Sequence, residues 1–310
     1  MSAPELAWKG GRVLVTGACG FLGRHVVALG QRLGVEMHLL GRRAPDGDAA
    51  QGHAFHSADI EDAARLREVI AAVAPTGIIH LAAAGVAYGQ SDAATLCLVN
   101  AIGLANLLES ASQLASPPAV VCAGSGFEYA PLDRARHESD PLLPNSAYGA
   151  SKAAATAIAS CYATRMPVTV LRPFSIYGPG EPTGRLAAYV IARARAGLPV
   201  DLTPGGQLRD YAEAGDIAES FWRALARPPG VGSSRVLNVA SGKIITLRAF
   251  VEELAEALRA TGLKPDLQFS ARRYRSDEMM DYTADISLLR STLDWAPSTP
   301  LAAGLARLLA

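Results

Sequence analysis

The chain has 310 residues, half of them apolar, so it is long enough to bury one large core or two modest ones. Lysine plus arginine and aspartate plus glutamate number 29 each, which excludes the basic excess typical of proteins that bind nucleic acid or anionic lipid. No apolar run reaches the length of a membrane span, and residues 1–10 lack a signal-peptide core. We therefore expect a cytoplasmic protein that binds neither membrane nor nucleic acid.

Short apolar runs alternate with segments of helical spacing along the first 171 residues. The runs predict strands at 12–16, 37–40, 54–56, 77–81, 119–123 and 168–171. Helices are predicted at 21–33, 61–73, 93–114 and 145–165. Apolar strands joined through helices predict a parallel sheet covered on both faces. Right-handed crossovers then make it a doubly wound α/β sheet of the Rossmann type.

The pattern loosens after residue 178, where prolines and glycines interrupt short helices and one late strand is predicted at 236–239. We expect a dinucleotide-binding domain over 1–177, to which the late strand returns. Residues 178–310 are predicted to form mainly a smaller substrate lobe, partly interleaved with the first domain.

The four cysteines, Cys19, Cys97, Cys122 and Cys161, lie far apart in segments predicted to be buried. This usage is typical of reduced thiols in a cytosolic protein. No group of histidine, cysteine and carboxylate residues has the spacing of metal ligands, so we expect no metal site.

A glycine triplet follows the first predicted strand and opens the first helix. Gly17 permits a tight turn, Gly20 lets backbone N–H groups approach a pyrophosphate, and Gly23 lets the helix pack on the strand. Phe21 and Leu22, at the helix start, are expected to contact the same ligand. The spacing is G-x-x-G-x-x-G, and a glycine triplet alone is weak evidence, but its place between strand and helix predicts a dinucleotide site.

Arg42 and Arg43 follow the second predicted strand, where NAD enzymes usually place an acid that binds the ribose 2′-hydroxyl. Two guanidinium groups suit a 2′-phosphate, which favours NADP(H), with NAD as the alternative. The two arginines could instead form an ordinary solvated turn.

Tyr148 and Lys152 are four residues apart and therefore share one face of a predicted helix. A free phenol is a sluggish acid or base near neutral pH, and a nearby ammonium, with the positive nicotinamide of an oxidised cofactor, should stabilise its phenolate and lower its pKa. Ser125, just past the fifth predicted strand, is placed to hydrogen-bond a reacting oxygen, unless it is an ordinary loop serine. These three residues predict a catalytic site for hydride transfer.

Several segments together resemble the extended short-chain dehydrogenase/reductases, the group of NDP-sugar epimerases, dehydratases and reductases. The matching segments, in chain order, are TGACGFLG (16–23), ADI (58–60), HLAA (80–83), VNAIGLANLLE (99–109), YGASK (148–152), LRPFSIYGPG (171–180), RDYAEAGDIA (209–218) and NVASG (238–242). The set, in this order over nearly the whole chain, is highly specific. It implies a sugar-nucleotide substrate and a homodimer formed through the helices 93–114 and 145–165, although those faces could equally pack on the sheet.

The resemblance also implies roles for single residues. Those expected at the cofactor are Asp59 and Ile60 at the adenine, Leu81, Ala82 and Ala83 along the crevice, and Pro173 at the carboxamide. Arg209 and Arg275 are similar to the family's clamps on the substrate pyrophosphate, although Arg209 could instead pair with Asp210 or Asp216 on the surface. Ser175 stands where many members have asparagine, and it is expected to contact the substrate.

The departures from the family pattern narrow the reaction. Gly126 and Phe127 replace the Asp-Glu pair of the sugar dehydratases, with Glu128 one position late, and no histidine follows His137 to serve a carbon-inverting Cys/His couple. We therefore predict an NADPH-dependent reduction of the C4 ketone of a nucleotide-linked 4-keto-6-deoxy sugar, with Tyr148 as the proton donor. The alternative is an NAD-dependent NDP-sugar 4-epimerase that uses the same residues. A dehydrogenase for another small alcohol, or a cofactor-sensing protein with an inactive site, fits the sequence less well.

Overall fold

The computed structural model describes residue 8 and residues 11–44, 52–85, 92–276 and 278–310. Within these ranges the strands are β1 (Val13–Thr16), β2 (Met37–Gly41), β3 (Ala54–Ser57), β4 (Gly77–His80), β5 (Ala119–Ala123), β6 (Val168–Pro173), β7 (Ser175–Tyr177), β8 (Val200–Asp201), β9 (Leu208–Glu213), β10 (Ser234–Val239), β11 (Ile244–Thr246), β12 (Leu267–Gln268) and β13 (Asp281–Tyr282). The α-helices are α1 (Phe21–Arg32), α2 (Ala63–Val73), α3 (Ala93–Cys97), α4 (Gly103–Ser112), α5 (Ala147–Tyr162), α6 (Leu186–Arg195), α7 (Ala214–Ala226), α8 (Leu247–Ala260), α9 (Ser287–Leu293) and α10 (Leu301–Leu309).

Seven of these strands form one parallel sheet in the order β10-β6-β5-β4-β1-β2-β3. Successive residues of β1 point to opposite faces: Val13 and Val15 pack with α1 and α7, whereas Leu14 packs with α2 and α4. Because both faces are covered, the strands read as almost continuous apolar runs. The predicted doubly wound α/β sheet is confirmed.

Helices α3 and α4 form one continuous helix with a π-helical turn, Leu98–Ile102, between them. The sequence predicts an unbroken α-helix here and does not reveal the turn. Asn100, inside the turn, is buried, accepts a hydrogen bond from the backbone N–H of Ala84 (2.8 Å) and donates one to the hydroxyl of Ser151 (2.9 Å). The asparagine therefore ties the helix to the segment after β4 and to α5.

By its length and composition alone, the continuous helix Ala93–Ser112 could cross a membrane. This contradicts our expectation that no segment of the chain meets this criterion. It is weak evidence for a membrane span, because core helices of globular proteins meet the same criterion of length and composition. Leu104, Leu107 and Leu108 of this helix are buried against the sheet.

A second sheet, formed by β7, β9, β11 and β13, begins just after β6 and packs with α6, α8 and α10. The chain then returns to the first sheet, where β10 lies parallel to β6 with Leu237 opposite Leu171. Helix α7 also packs against the first sheet, where the indole of Trp222 donates to the carbonyl of Val26 (2.9 Å). The glycines and prolines after residue 178 interrupt the apolar pattern from which strands and helices are predicted. Of the strands in this part of the chain, the sequence therefore predicted only the one at 236–239.

The four cysteines are free thiols, but the prediction that all lie in buried segments is wrong. Cys122 is buried in β5, whereas Cys19, Cys97 and Cys161 are exposed. Cys97 and Cys161 lie on amphipathic helices, and short apolar stretches of such helices do not reveal which face is covered.

Candidate active site

A cavity of about 920 Å³ opens at the carboxyl ends of the parallel strands, where the chain passes from strand to helix. All the residues that the sequence predicts for cofactor and catalysis line it: Gly17, Gly20, Phe21, Leu22, Gly23, Arg42, Arg43, Asp59, Ile60, Leu81, Ala82, Ala83, Ser125, Tyr148, Lys152 and Pro173. The size is suitable for a large ligand. The fold thus brings together residues spread over more than half of the chain.

The glycine turn at one end of the cavity has no room for side chains. Gly17 has a φ of +72°, and a Cβ on it would lie 2.6 Å from the backbone nitrogen of Ala82. A Cβ on Gly23 would lie 2.1 Å from the carbonyl oxygen of Gly17. Helix α1 begins with Gly20 as its N-cap and has no side chain bonded to its first N–H groups. These donors, with the positive end of the helix dipole, fit the pyrophosphate of a dinucleotide.

The residues after β2 and β3 form the other end of the cavity. Arg42 and Arg43 are exposed, and the carbonyl of Arg43 accepts a hydrogen bond from the thiol of Cys19 (3.3 Å). One carboxylate oxygen of Asp59 accepts the backbone N–H of Glu61 (3.1 Å). Because the guanidinium groups are exposed, they can move onto whatever ligand occupies this end.

The catalytic residues of the prediction meet in the middle of the cavity. Ser125 follows β5, and its hydroxyl lies within hydrogen-bonding reach of the phenols of Tyr148 and Tyr282. Tyr148 lies in the first turn of α5, which Ser146 caps by accepting the N–H of Gly149 (3.1 Å). The ammonium of Lys152, one turn further on, is buried and donates to the carbonyl of Ala123 (2.6 Å).

Burial dominates the electrostatics of this pair. It raises the pKa of Tyr148 to about 12, and the hydrogen bond from Ser125 opposes the rise. Burial also lowers the pKa of Lys152. For the chain by itself, desolvation raises the pKa of the phenol, and the Lys152 ammonium donates to the Ala123 carbonyl. The lowered pKa expected from Lys152 together with an oxidised nicotinamide stays a prediction. Tyr148 stays protonated unless a bound group brings positive charge.

A buried network that the sequence did not reveal holds Ser125 in place. The carboxylate of Glu128 accepts the N–H of Ser125 (2.7 Å), the hydroxyl of Thr156 (2.8 Å) and the guanidinium of Arg172 (2.8 Å). The hydroxyl of Ser125 in turn accepts the N–H of Phe127 (3.2 Å). Ser125 and Glu128 form a capping box, and the S-x-x-E spacing was the signal from which the sequence could have predicted it.

Tyr282, from β13 of the second sheet, is the other functional residue that sequence reasoning missed. Its ring stacks on Phe127 at 4.5 Å and lies 4.9 Å from the ring of Phe174. A Cβ on residue 126 would lie only 2.8 Å from the hydroxyl of Tyr282. Glycine is therefore needed at this position to let the phenol approach Ser125. No local pattern links residue 282 to residue 125, since they meet only through the tertiary fold.

A smaller cavity of about 160 Å³ adjoins the first and shares Phe127, Phe174, Ile176, Arg185 and Tyr282 with it. Its further lining includes Ser175, Glu181, Arg209 and Tyr211. The two cavities meet beside Ser125 and Tyr148, so a molecule in the smaller one would have one end at these hydroxyls.

The two arginines expected at the substrate pyrophosphate occupy different places. Arg209 lines the smaller cavity and donates to Glu278 (2.6 Å) and to the carbonyl of Met279 (2.7 Å), so the alternative pairing with Asp210 or Asp216 is wrong. Arg275 is half exposed, lies 3.4 Å from a carboxylate oxygen of Glu278, and is not among the described lining of either cavity.

Comparison with known proteins accounts for this arrangement. Residues 13–240 match the model of the NAD dependent epimerase/dehydratase family. The chain belongs to that family. It also belongs to the extended short-chain dehydrogenase/reductases, as the resemblance implied.

The similar proteins act on sugar nucleotides. The dTDP-6-deoxy-L-talose 4-dehydrogenase (NAD(P)(+)) of Kitasatospora kifunensis is 31% identical over 97% of this chain and 95% of its own length. A probable UDP-glucuronate 4-epimerase of Rhizobium meliloti (strain 1021) is 29% identical over 96% of this chain and 95% of its own. The structure of MoeE5 in complex with UDP-glucuronic acid and NAD is 28% identical, has a TM-score of 0.85, and covers 96% of this chain and 98% of MoeE5.

Two predictions from the sequence are overturned by these comparisons. The preference for NADP(H) is wrong, since several similar structures hold NAD. An exposed guanidinium can stack over the adenine of either dinucleotide, so Arg42 and Arg43 do not specify a 2′-phosphate. The NADPH-dependent 4-ketoreductase is also wrong, because several relatives that span the chain are 4-epimerases. A reductase and an epimerase need the same serine, tyrosine and lysine, so those residues could not separate the two.

Replacing Gly23 with alanine should damage the pyrophosphate end of the cavity. Its Cβ would clash with the Gly17 carbonyl, so we expect at least about a tenfold loss of affinity for NAD and about 1–3 kcal/mol of stability. Calorimetric titration with NAD and urea unfolding measure both. The control is Gly230→Ala, because a Cβ on Gly230 meets no atom within 4 Å. Equal NAD affinity for the two variants would contradict the assignment.

His80, the last residue of β4, makes stability depend on pH. It is buried, lies 2.8 Å from the hydroxyl of Thr16, and burial together with Lys152 lowers its pKa from 6.5 to about 3. Because the unfolded chain then binds the proton more tightly, stability is lost as the pH falls from about 6.5 toward 3.

We expect the unfolding free energy of the chain to fall by about 2 kcal/mol more than that of His80→Gln between about pH 7 and pH 5. Urea unfolding at both pH values measures the difference, which cancels the contribution of all other groups. Parallel pH dependence of the two proteins would show that His80 binds a proton as readily in the folded chain as in the unfolded one, which would contradict its lowered pKa.

Proposed function

We propose that the chain is an NAD-dependent 4-epimerase of a nucleotide-linked hexose. The observation that carries the proposal is the contact between the hydroxyls of Ser125 and Tyr148 at the junction of a dinucleotide-sized cavity and a smaller one. The family and the 4-epimerases among the relatives support the same reaction.

In this proposal the residues of the chain hold the sugar and move one proton. NAD, which the glycine turn and the larger cavity would hold, would supply a reversible two-electron acceptor for the hydrogen at the sugar C4. Tyr148 takes the proton of the C4 hydroxyl and later gives it back to the same oxygen. Ser125 hydrogen-bonds that oxygen, and the buried ammonium of Lys152 helps to stabilise the phenolate.

We propose further that residues 178–310 mainly hold the sugar nucleotide. Ser175 and Arg209 line the smaller cavity, so they are placed to contact the sugar and the adjoining phosphates. Arg275 could reach the same ligand from the rim, since it shares Glu278 with Arg209.

The reaction is tested with a UDP- or dTDP-linked glucose that carries deuterium at C4. Without added NADPH, the protein should form the galactose epimer, and the product should keep the deuterium because the hydrogen returns to the carbon it left. Tyr148→Phe should lower kcat by about 10²–10⁴-fold. The control is Tyr162→Phe on the same helix, whose hydroxyl bonds Glu109 away from the cavity. Consumption of added NADPH in proportion to product, or full activity of Tyr148→Phe, would refute the epimerase.

We also propose that the chain forms a homodimer through its two long helices. Leu98 and Ile102 expose large apolar side chains on the helix Ala93–Ser112. The neighbouring face of α5 exposes small residues, namely Ala150, Ala154, Ala157 and Cys161. Apolar and small residues side by side allow close packing of helices from two copies.

Sedimentation should show a dimer, and Ile102→Arg should convert it to a monomer, since a charge would be buried without a partner. The control is Leu143→Arg, an equally drastic change at an exposed leucine outside these helices. A monomeric unmodified chain, or a dimer that tolerates Ile102→Arg, would contradict this interface.

A further inference from the structure

The smaller cavity contains a buried carboxylate oxygen that lacks a partner. Glu181 lies between β7 and α6, and its side chain is only 4% exposed. One oxygen accepts the guanidinium of Arg185 at 3.0 Å, while Oε2 has no hydrogen-bond partner in the part of the chain that the structure describes. A buried carboxylate left half satisfied is costly, so an oxygen in this position calls for a donor from a ligand.

The cation beside Glu181 is already engaged by the protein. Arg185 also donates to the carbonyl of Ile176 (2.8 Å), and its guanidinium lies over the ring of Phe21 at 5.5 Å from the centroid. These contacts hold the guanidinium in place and use two of its five N–H groups. The free acceptor beside it is Oε2 of Glu181.

The other cation in the described lining of the smaller cavity is balanced as well. Arg209 forms a 2.6 Å ion pair with Glu278. Glu181 keeps its ion pair with Arg185 through one oxygen, while Oε2 has no donor among the described residues. Burial raises the pKa of Glu181 to about 7, with Arg185 opposing the rise, so the site already disfavours the charge that it carries. An ionised carboxylate of a ligand placed here would offer no donor to Oε2 and, whenever Glu181 is ionised, would meet a like charge in a poorly solvated cavity.

We propose that Glu181 is a specificity-determining residue, which accepts a hydrogen bond from a hydroxyl of the bound sugar and discriminates against hexuronic acids. This rests on the proposed function only in assuming that the smaller cavity receives the sugar of a sugar nucleotide. It separates this chain from the relatives named as UDP-glucuronate 4-epimerases and from MoeE5, which holds UDP-glucuronic acid. The substrate is then a neutral hexose with a free hydroxyl at the position facing Glu181.

Binding measurements test the proposal without relying on turnover. UDP-glucose and UDP-glucuronate, and the matching dTDP pair, are titrated by calorimetry into the NAD-loaded chain carrying Tyr148→Phe. We expect the neutral sugar to bind at least about tenfold more tightly than the uronate. In the same background, Glu181→Gln should bring the ratio of the two dissociation constants close to one, since it keeps the shape and removes the charge.

The matched control is Glu138→Gln. Glu138 is also a buried glutamate with one unpartnered oxygen, but it lies outside both cavities, where it accepts the backbone N–H of Asn238 (2.7 Å). It should leave the ratio unchanged. The comparison of the two sugars with Glu181 intact needs no substitution at that position, so it decides the question even if Glu181→Gln fails to fold.

Uronate binding as tight as that of the neutral sugar, an unchanged ratio in Glu181→Gln, or no binding of either sugar nucleotide would overturn the proposal. Selective binding of the neutral sugar by a protein that proves unable to epimerise it would refute the proposed function alone and leave the role of Glu181 standing.

Discussion

The geometry of the candidate active site depends on the hydrogen bonds that the buried carboxylate of Glu128 accepts. This carboxylate joins three elements, since it accepts hydrogen bonds from Ser125 after β5, from Thr156 on α5 and from Arg172 on β6. The same α5 carries Tyr148 and Lys152. One carboxylate therefore fixes the loop that carries Ser125 against this helix. A charge buried this completely is tolerated only with its partners present, and loss of one partner from such a pair typically costs about 3–5 kcal/mol.

The network continues from the first sheet into the second lobe. Arg172 donates to the hydroxyl of Tyr129 (2.7 Å), which donates to Asn238 (2.7 Å), and the amide of Asn238 donates to the carbonyl of Arg136 (2.8 Å). Arg136 is itself buried and forms a 2.8 Å ion pair with Asp281, the residue that precedes Tyr282. The phenol of Tyr282 thus reaches Ser125 from a strand that is braced by the same chain of polar contacts.

What the sequence could predict follows from how local each feature is. The strands of the first sheet, the turn around Gly17 and the pair Tyr148 and Lys152 depend on spacings of a few residues, and the structure places them in one cavity. Tyr282 and Glu181 come from segments whose position is set only by the packing of two lobes. The rise of the Tyr148 pKa in the chain by itself could not be predicted, because burial is invisible in a sequence. Arg42 and Arg43 were misleading because a guanidinium suits more than one ligand.

The π-helical turn around Asn100 has a consequence for how this chain can vary in length. A π-turn holds one residue more than the same stretch of regular helix needs, so it can lose one residue without rotating the turns on either side. Removing one residue from the regular part of this helix would instead rotate the preceding turns by about 100°. Helix α4 is locked into the core, so α3 would then have to swing, and with it Thr95, which lines the larger cavity. A change of length in this helix is therefore compatible with the shape of the cavity only inside the π-turn.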